Sequence, residues 1–165
     1  MGGTVMSDTT LLYSYTLEHP PWRAEMARET AMNTVSSTIT NMPWDTIIYD
    51  PNGNCVTGVN AAYTCPADGY YAVSATVVYA GSAANQFGVL YLYNSPIAGG
   101  GYAAVAAGPQ EWSGASGGMS ATLGIAGSPC FAGDQLEVRY DIGGVFAVTV
   151  SASLAWVQFA WTGPK

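Results

Sequence analysis

From Trp44 to Trp161, apolar and polar positions alternate in short runs, the period-two pattern of strands with one face in a core. Tyr71, Val73, Ala75, Val77 and Tyr79 alternate with Ala72, Ser74, Thr76 and Val78. Phe87, Val89, Tyr91 and Tyr93 repeat the pattern, as do Leu136, Val138 and Tyr140. Further strands are predicted for Trp44–Tyr49, Tyr63–Cys65, Val145–Ser153 and Leu154–Trp161. Turn residues separate them, above all Asp50-Pro51-Asn52-Gly53 and Pro66-Ala67-Asp68-Gly69. Short strands at this spacing predict an all-β sandwich or barrel.

Three stretches depart from the pattern. Residues 1–22 carry His19, Pro20 and Pro21, and read as an extended N-terminal arm or a loose terminus ahead of a domain spanning 23–165. Arg23 to Met32 has the local composition of a helix, although its apolar spacing is weak. Between Ile97 and Gly127 the chain is rich in Gly and Ala, which predicts weak strands and long loops.

Two strands are apolar on both faces. Phe87, Val89, Tyr91 and Tyr93 oppose Leu90 and Leu92, while Leu154 and Trp156 oppose Val157, Phe159 and Trp161. Such strands need cover on both sides. A two-layer sandwich supplies one cover, so the second comes from another chain, from a closed barrel or from covering loops. Phe87, Tyr91, Tyr93, Trp156, Phe159 and Trp161 are therefore the candidate subunit interface. Each buried aromatic contributes about 2 kcal/mol before association costs.

Composition points the same way. Only 9% of the 165 residues are charged, against roughly 25% in an average domain. Either Gly, Ala, Ser, Thr and Asn cover the surface, or other subunits do. The net charge is −7, and Arg23, Arg28, Arg139 and Lys165 are the only cations. Nucleic acid and anionic membrane surfaces are thus excluded as partners. No apolar run of about 18 residues spans a bilayer, and Met1 to Thr10 shows no secretory signal. Cys55, Cys65 and Cys130 lack metal-ligand spacing. They read as buried thiols, with Cys55 and Cys65 the pair nearest in sequence should one be bridged.

Catalytic chemistry is not visible. The single histidine, His19, stands in the arm, and no nucleophile triad, His ligand pair or phosphate loop occurs. Asp50, Asp68, Asp134 and Asp141 sit at expected turns, where Asp normally bonds its own backbone. No catalytic, metal or cofactor residue is assigned, and a non-enzyme is expected. Tyr102 and Trp112, on expected loops, are candidate ligand contacts able to stack on a sugar.

Four segments, WDTIIYDPNGN, YTCPADGYYAVSATVVY, FAGDQLEVRYD and LAWVQFAW, together resemble the globular domain of complement first-component recognition subunits. That domain shares a trimeric jelly roll with the tumour-necrosis-factor family. Cys65, Pro66, Gly69, Tyr70 and Tyr71 match its turn-to-strand motif, and Gly133 with Asp134 its turn before a later strand. The resemblance covers residues 24–162. It implies a two-sheet jelly roll that forms a homotrimer, and makes residues 28–39 the first strand in place of the helix.

The chain lacks a collagen-like stalk, and its Gly/Ala-rich middle is similar to versions in bacteriophage virions. The implied function is a virion structural protein, assembled in the host cytoplasm as a capsid decoration or head-fibre protein. The major capsid protein is the expected partner, with Leu11, Leu12, Tyr13, Tyr15 and Trp22 as attachment residues. The alternative is a receptor- or carbohydrate-binding tip module of a tail fibre.

Overall fold

The computed structural model describes residues 22–34, 38–82, 87–96, 99, 101–112, 117–143, 148–150 and 154–165. All regular structure in them is β. The strands are β1 (Arg23–Arg28), β2 (Met32–Thr34), β3 (Thr40–Asn41), β4 (Thr46–Tyr49), β5 (Cys55–Val56), β6 (Ala62–Thr64) and β7 (Gly69–Ser82). They continue as β8 (Phe87–Ser95), β9 (Ala103–Ala107), β10 (Glu111–Trp112), β11 (Gly117–Cys130), β12 (Gln135–Gly143), β13 (Val148–Val150) and β14 (Ala155–Gly163).

Two antiparallel sheets form the sandwich. In the first, β11 pairs β7, followed by β14, β1 and β4, while β13 and β2 extend beside the far part of β7. In the second, β9 and β10 flank β8, followed by β12, then β6 and β3, with β5 at the edge. Sequence neighbours repeatedly lie in opposite sheets, as a jelly roll requires.

The predicted alternation holds. Tyr71, Val73, Ala75, Val77 and Tyr79 of β7 are buried, as are Leu90 and Leu92 of β8, and Leu136, Val138, Tyr140 and Ile142 of β12. Tyr63 of the second sheet stacks on Phe159 of the first, ring centroids 4.9 Å apart and 7° from parallel. This pair ties the layers at the centre of the core.

The helix-like composition of residues 23–32 is overruled by pairing. Ala24 and Met26 enter the core, and β1 is laddered on both sides, to β14 and β4. Ladder bonds and burial outweigh a weak local propensity. The first strand therefore begins at Arg23, not Arg28, and residues 28–39 do not form one strand. β1 ends where Asp45 accepts hydrogen bonds from the Glu29 and Thr30 amides (2.8 and 3.0 Å) and pairs with Arg28 at 3.2 Å.

The Gly/Ala-rich tract also differs from expectation. It holds most of β11, which at 14 residues is as long as β7. Met119, Ala121 and Leu123 face inward, and their small neighbours face out. The tract's smallness serves contact between sheets: the Gly108 amide is held to the Leu90 carbonyl of its own sheet at 2.7 Å, and a side chain at Gly108 would strike the Thr122 carbonyl of β11 in the other. One edge of the sandwich is thus closed backbone to backbone.

The opposite closure is chemical. Tyr71 Oη donates to the Ala67 carbonyl at 2.8 Å and so locks the Pro66–Gly69 turn. Gly69 has φ +153°, and a Cβ there would collide with the Trp161 indole and the Gly163 carbonyl. Asp68 accepts from the Ala132 amide and Asp134 from the Phe131 amide, both at 2.8 Å. Those aspartates hold backbone, as expected at turns, and so does Asp50 toward Cys55. Asp141 lies within β12 and not at a turn.

Gly69→Ala is expected to lower unfolding free energy by about 3 kcal/mol, since strain and collision coincide. Urea denaturation checks this; a loss below about 0.5 kcal/mol would place the turn's rigidity elsewhere.

Candidate functional site

The core parity decides what the first sheet shows outside. With Phe159 inward, Trp156, Gln158 and Ala160 of β14 point away from the core. Register carries rows across the sheet: Thr122, Thr76, Trp156 and Ala27 align in one, and Gly124, Ser74, Gln158 and Glu25 in the next. Ala72, Ala160 and Arg23 form a third. A shallow depression of about 480 Å³ lies among Ala72, Ser74, Gly124, Ala126, Gln158 and Ala160.

This face carries no Asp, Glu, Lys or Arg over β11, β7 and β14. Its charges, Arg23 and Glu25, stand on β1 and face each other at 3.7 Å. Gln158 Nε2 donates to the Glu25 carboxylate at 3.0 Å. Small side chains let another backbone approach closely, and the absence of charge keeps desolvation cheap. The face suits association, not chemistry.

The outer face of the second sheet is built differently. Arg139 lies over the rings of Tyr93 and Tyr102, with centroid distances of 4.3 and 4.7 Å. Its Nε and Nη2 both donate to Glu137 Oε2, at 2.9 and 2.7 Å, and Glu137 is only 4% exposed. Tyr102 Oη donates to Gln135 Oε1 at 2.9 Å. Burial, with the Glu137 carboxylate adding to it, pushes the Tyr102 hydroxyl up to about 12. Trp112 packs on Phe87 at 5.5 Å and stays 61% exposed. Part of the cover over β8 thus comes from this chain's own loop and strand residues, not from a second chain.

The six expected interface aromatics therefore separate. Trp156 is half-buried on the outer face of the first sheet, and Phe87, Tyr91 and Tyr93 are half-buried on that of the second. Phe159 is a correction: it is fully buried against Tyr63 inside the subunit and is not available to a neighbour. Trp161 packs edge-on against Trp22 at 5.1 Å and donates from Nε1 to the Asp68 carbonyl at 3.3 Å. Trp22 accepts from the Trp161 amide at 2.9 Å, so it continues the β1–β14 ladder and belongs to the domain instead of the arm. Leu11, Leu12, Tyr13 and Tyr15 lie outside the described residues, as does His19. Tyr102 is engaged on one face by Arg139, leaving Trp112 the freer of the two candidate ligand contacts.

The thiols pair differently from their order in the chain. Cys55 is half-buried and separate, while Cys65 and Cys130 are fully buried together. Among the described residues no group of three or more His, Cys, Asp or Glu side chains could hold a metal ion.

The small-residue face was not singled out in the sequence. Its signal was present as Ser, Thr, Ala and Gly at alternate positions of 72–76 and 120–126, opposite the apolar ones.

The chain is similar to an Eiger TNF from S. frugiperda, with 11% identity and a TM-score of 0.63, over 87% of this chain and 94% of that one. The globular domain of zebrafish complement 1qA protein aligns at 10% identity and TM-score 0.60, over 87% and 99%. The fold is that of the tumour-necrosis-factor and complement first-component jelly rolls. Murine APRIL aligns likewise, at 11% identity and TM-score 0.56, over 86% of this chain and 98% of that one. No protein-family model matches the sequence. No curated protein matches it either.

Arg139→Ala is expected to destabilise the jelly roll by about 3 kcal/mol, because it strands the buried Glu137 carboxylate. A double-mutant cycle with Glu137→Gln checks this by urea denaturation: the second change should restore part of the loss, and strict additivity would refute the coupling.

Proposed function

We propose that this protein is a non-enzymatic structural protein that works as a homotrimer, docked on the surface of a virion capsid. The single observation that carries the assembly step is the outer face of the first sheet, uncharged across three strands and lined by small side chains around Trp156. A closed ring of three joins two different patches on each subunit. The first-sheet face is one; the aromatic ridge of Phe87, Tyr91 and Trp112 on the second sheet is the other. One is flat and small, and the other projects.

The capsid step rests on the charge-poor composition, on the resemblance of the Gly/Ala-rich middle to virion jelly rolls, and on the apolar residues ahead of the domain. In this reading the trimer is a decoration or head-fibre protein assembled in the host cytoplasm. Its partner is the major capsid protein, gripped through Leu11, Leu12, Tyr13 and Tyr15. A second reading, a glycan-binding tip module, is favoured by one feature, the 61% exposure of Trp112.

Light scattering at micromolar concentration should report a trimer. Gly124→Arg, placed where nothing lies within 4 Å, should fold normally yet raise the dissociation constant by at least about tenfold. A wild-type monomer, or a variant that assembles unchanged, sinks the proposed face.

Removing residues 1–21 should leave the trimer intact and abolish its co-sedimentation with capsids. Unchanged attachment refutes the arm's role. Failure of the full chain to attach, together with glycan-array binding lost on Trp112→Ala, replaces the capsid reading with the second one.

A further inference from the structure

Cys65 and Cys130 stand 65 positions apart in the sequence, yet meet at one end of the sandwich. The backbone brings them there. Cys65 N donates to the Asp134 carbonyl at 2.8 Å, and its carbonyl accepts from the Gly133 amide at 2.7 Å. The loop before β7 is thereby fastened to the turn that follows Cys130. Cys130 itself is the last residue of β11, opposite Gly69 in the ladder. Both side chains are fully buried, and their thiols are in hydrogen-bond contact. Cys130 Sγ also lies 3.6 Å from the Ser128 carbonyl and 3.9 Å from Asn94 Nδ2.

We propose that Cys65 and Cys130 form a redox-sensitive cross-link site: a dithiol under reducing conditions, and a disulfide joining the β6–β7 loop to the end of β11 under oxidising ones. Cys55 takes no part, being held apart near Asp50 in the β4–β5 turn. The inference is independent of the assembly reading.

The chemistry assigns the two sulfurs different roles. The Cys65 S–H donates toward Cys130, which favours the thiolate at Cys130 and disfavours it at Cys65. The Lys165 ammonium nearby acts in the same direction on Cys130, and the Asp134 carboxylate against it. The oxidant is a low-molecular-weight disulfide. The Cys130 thiolate attacks one of its sulfurs, the S–S bond breaks, and one small thiolate leaves to take a proton. The Cys65 thiol then loses its proton and attacks Cys130 Sγ, expelling the second small thiol. Two electrons and two protons leave the protein pair, and the oxidant becomes two thiols.

Burial sets the rate. Phe131 and Lys165 lie together beside this site, the ammonium 3.3 Å from the ring centroid. Attack awaits a local opening of this end, so oxidation should be slow in the folded protein and selective for this pair.

The test uses the full chain incubated with oxidised glutathione and then digested without reduction. The expected product has lost the mass of two hydrogens, holds a Cys65–Cys130 linked peptide, and keeps Cys55 open to alkylation. Its Tm should rise by roughly 10 °C over the reduced form, the effect of closing a loop of this length in the unfolded chain. Cys55→Ser should oxidise identically, whereas Cys65→Ser and Cys130→Ser should yield no intramolecular link. Three alkylatable thiols after prolonged incubation, a stable mixed disulfide with glutathione, or a link through Cys55 would each overturn the assignment. Because the wild-type and Cys55→Ser readouts suffice, misfolding of the other two variants leaves the test decisive.

Discussion

The stack of Tyr63 on Phe159 is the contact from which the rest of the architecture follows. It is the place where one sheet touches the other through two large flat rings, and it contributes about 1 kcal/mol beyond the area it buries. Its greater consequence is register. Side chains alternate strictly along a strand, so placing Phe159 inward places Val157 inward and Trp156, Gln158 and Ala160 outward. The neighbouring strands are locked to β14 by the ladder, and their outward residues follow. A slip of one position would move Phe159 to the surface and bury Gln158. The outer face of the first sheet is thus the reverse side of the core, and the two cannot vary independently.

Electrostatics then explains how a chain with so few charges uses them. All four cations are committed within the molecule. Arg28 bonds the Pro43 carbonyl and Asp45, Arg139 is held between two tyrosines above Glu137, Arg23 faces Glu25, and Lys165 rests on Phe131. Each of these cations has a partner within the chain, which leaves the surface acidic on balance. The surplus of carboxylates repels polyanions in general. Association through the outer face of the first sheet, as proposed, would avoid that repulsion, because no Asp or Glu stands on β7, β11 or β14.

Much of this was readable from alternation and turns. The inward positions of β7 and β12 were legible because apolar residues recur there at every second place, whereas β8, apolar on both faces, turns Leu90 and Leu92 inward and its aromatic residues outward. The Pro66–Gly69 turn was legible because Pro, Asp and Gly stand where a turn needs them. Three things were hidden for physical reasons. The strand at Arg23–Arg28 is stabilised by partners more than 100 residues away, against a local composition that favours helix. β11 was obscured because small residues carry almost no propensity of their own, and its strand character comes from pairing along β7. Phe159 was misassigned because a strand apolar on both sides does not reveal which side is in. Only the position of Tyr63 across the core decides it. The pairing of Cys65 with Cys130 is a long-range contact of the same kind, invisible to sequence spacing.

Several contacts tie the end of the sandwich where the chain enters. There Trp22 packs on Trp161, Tyr71 holds the turn at Ala67, and Asp68 reaches across to Ala132. From this end β1 runs inward between β14 and β4, laddered on both sides. A pull on the residues ahead of Trp22 along the strand loads those hydrogen bonds in parallel, so that many must break at once. A pull across the strand would open them one at a time. In the proposed attachment, an arm ahead of Trp22 would load the β1 ladders, and the Trp22–Trp161 contact would be the first to bear it. The same geometry leaves the outer face of the first sheet undisturbed, because the tension passes through backbone and not through Trp156, Gln158 or Ala160. The proposed attachment and self-association would in this way be mechanically separate within one small domain.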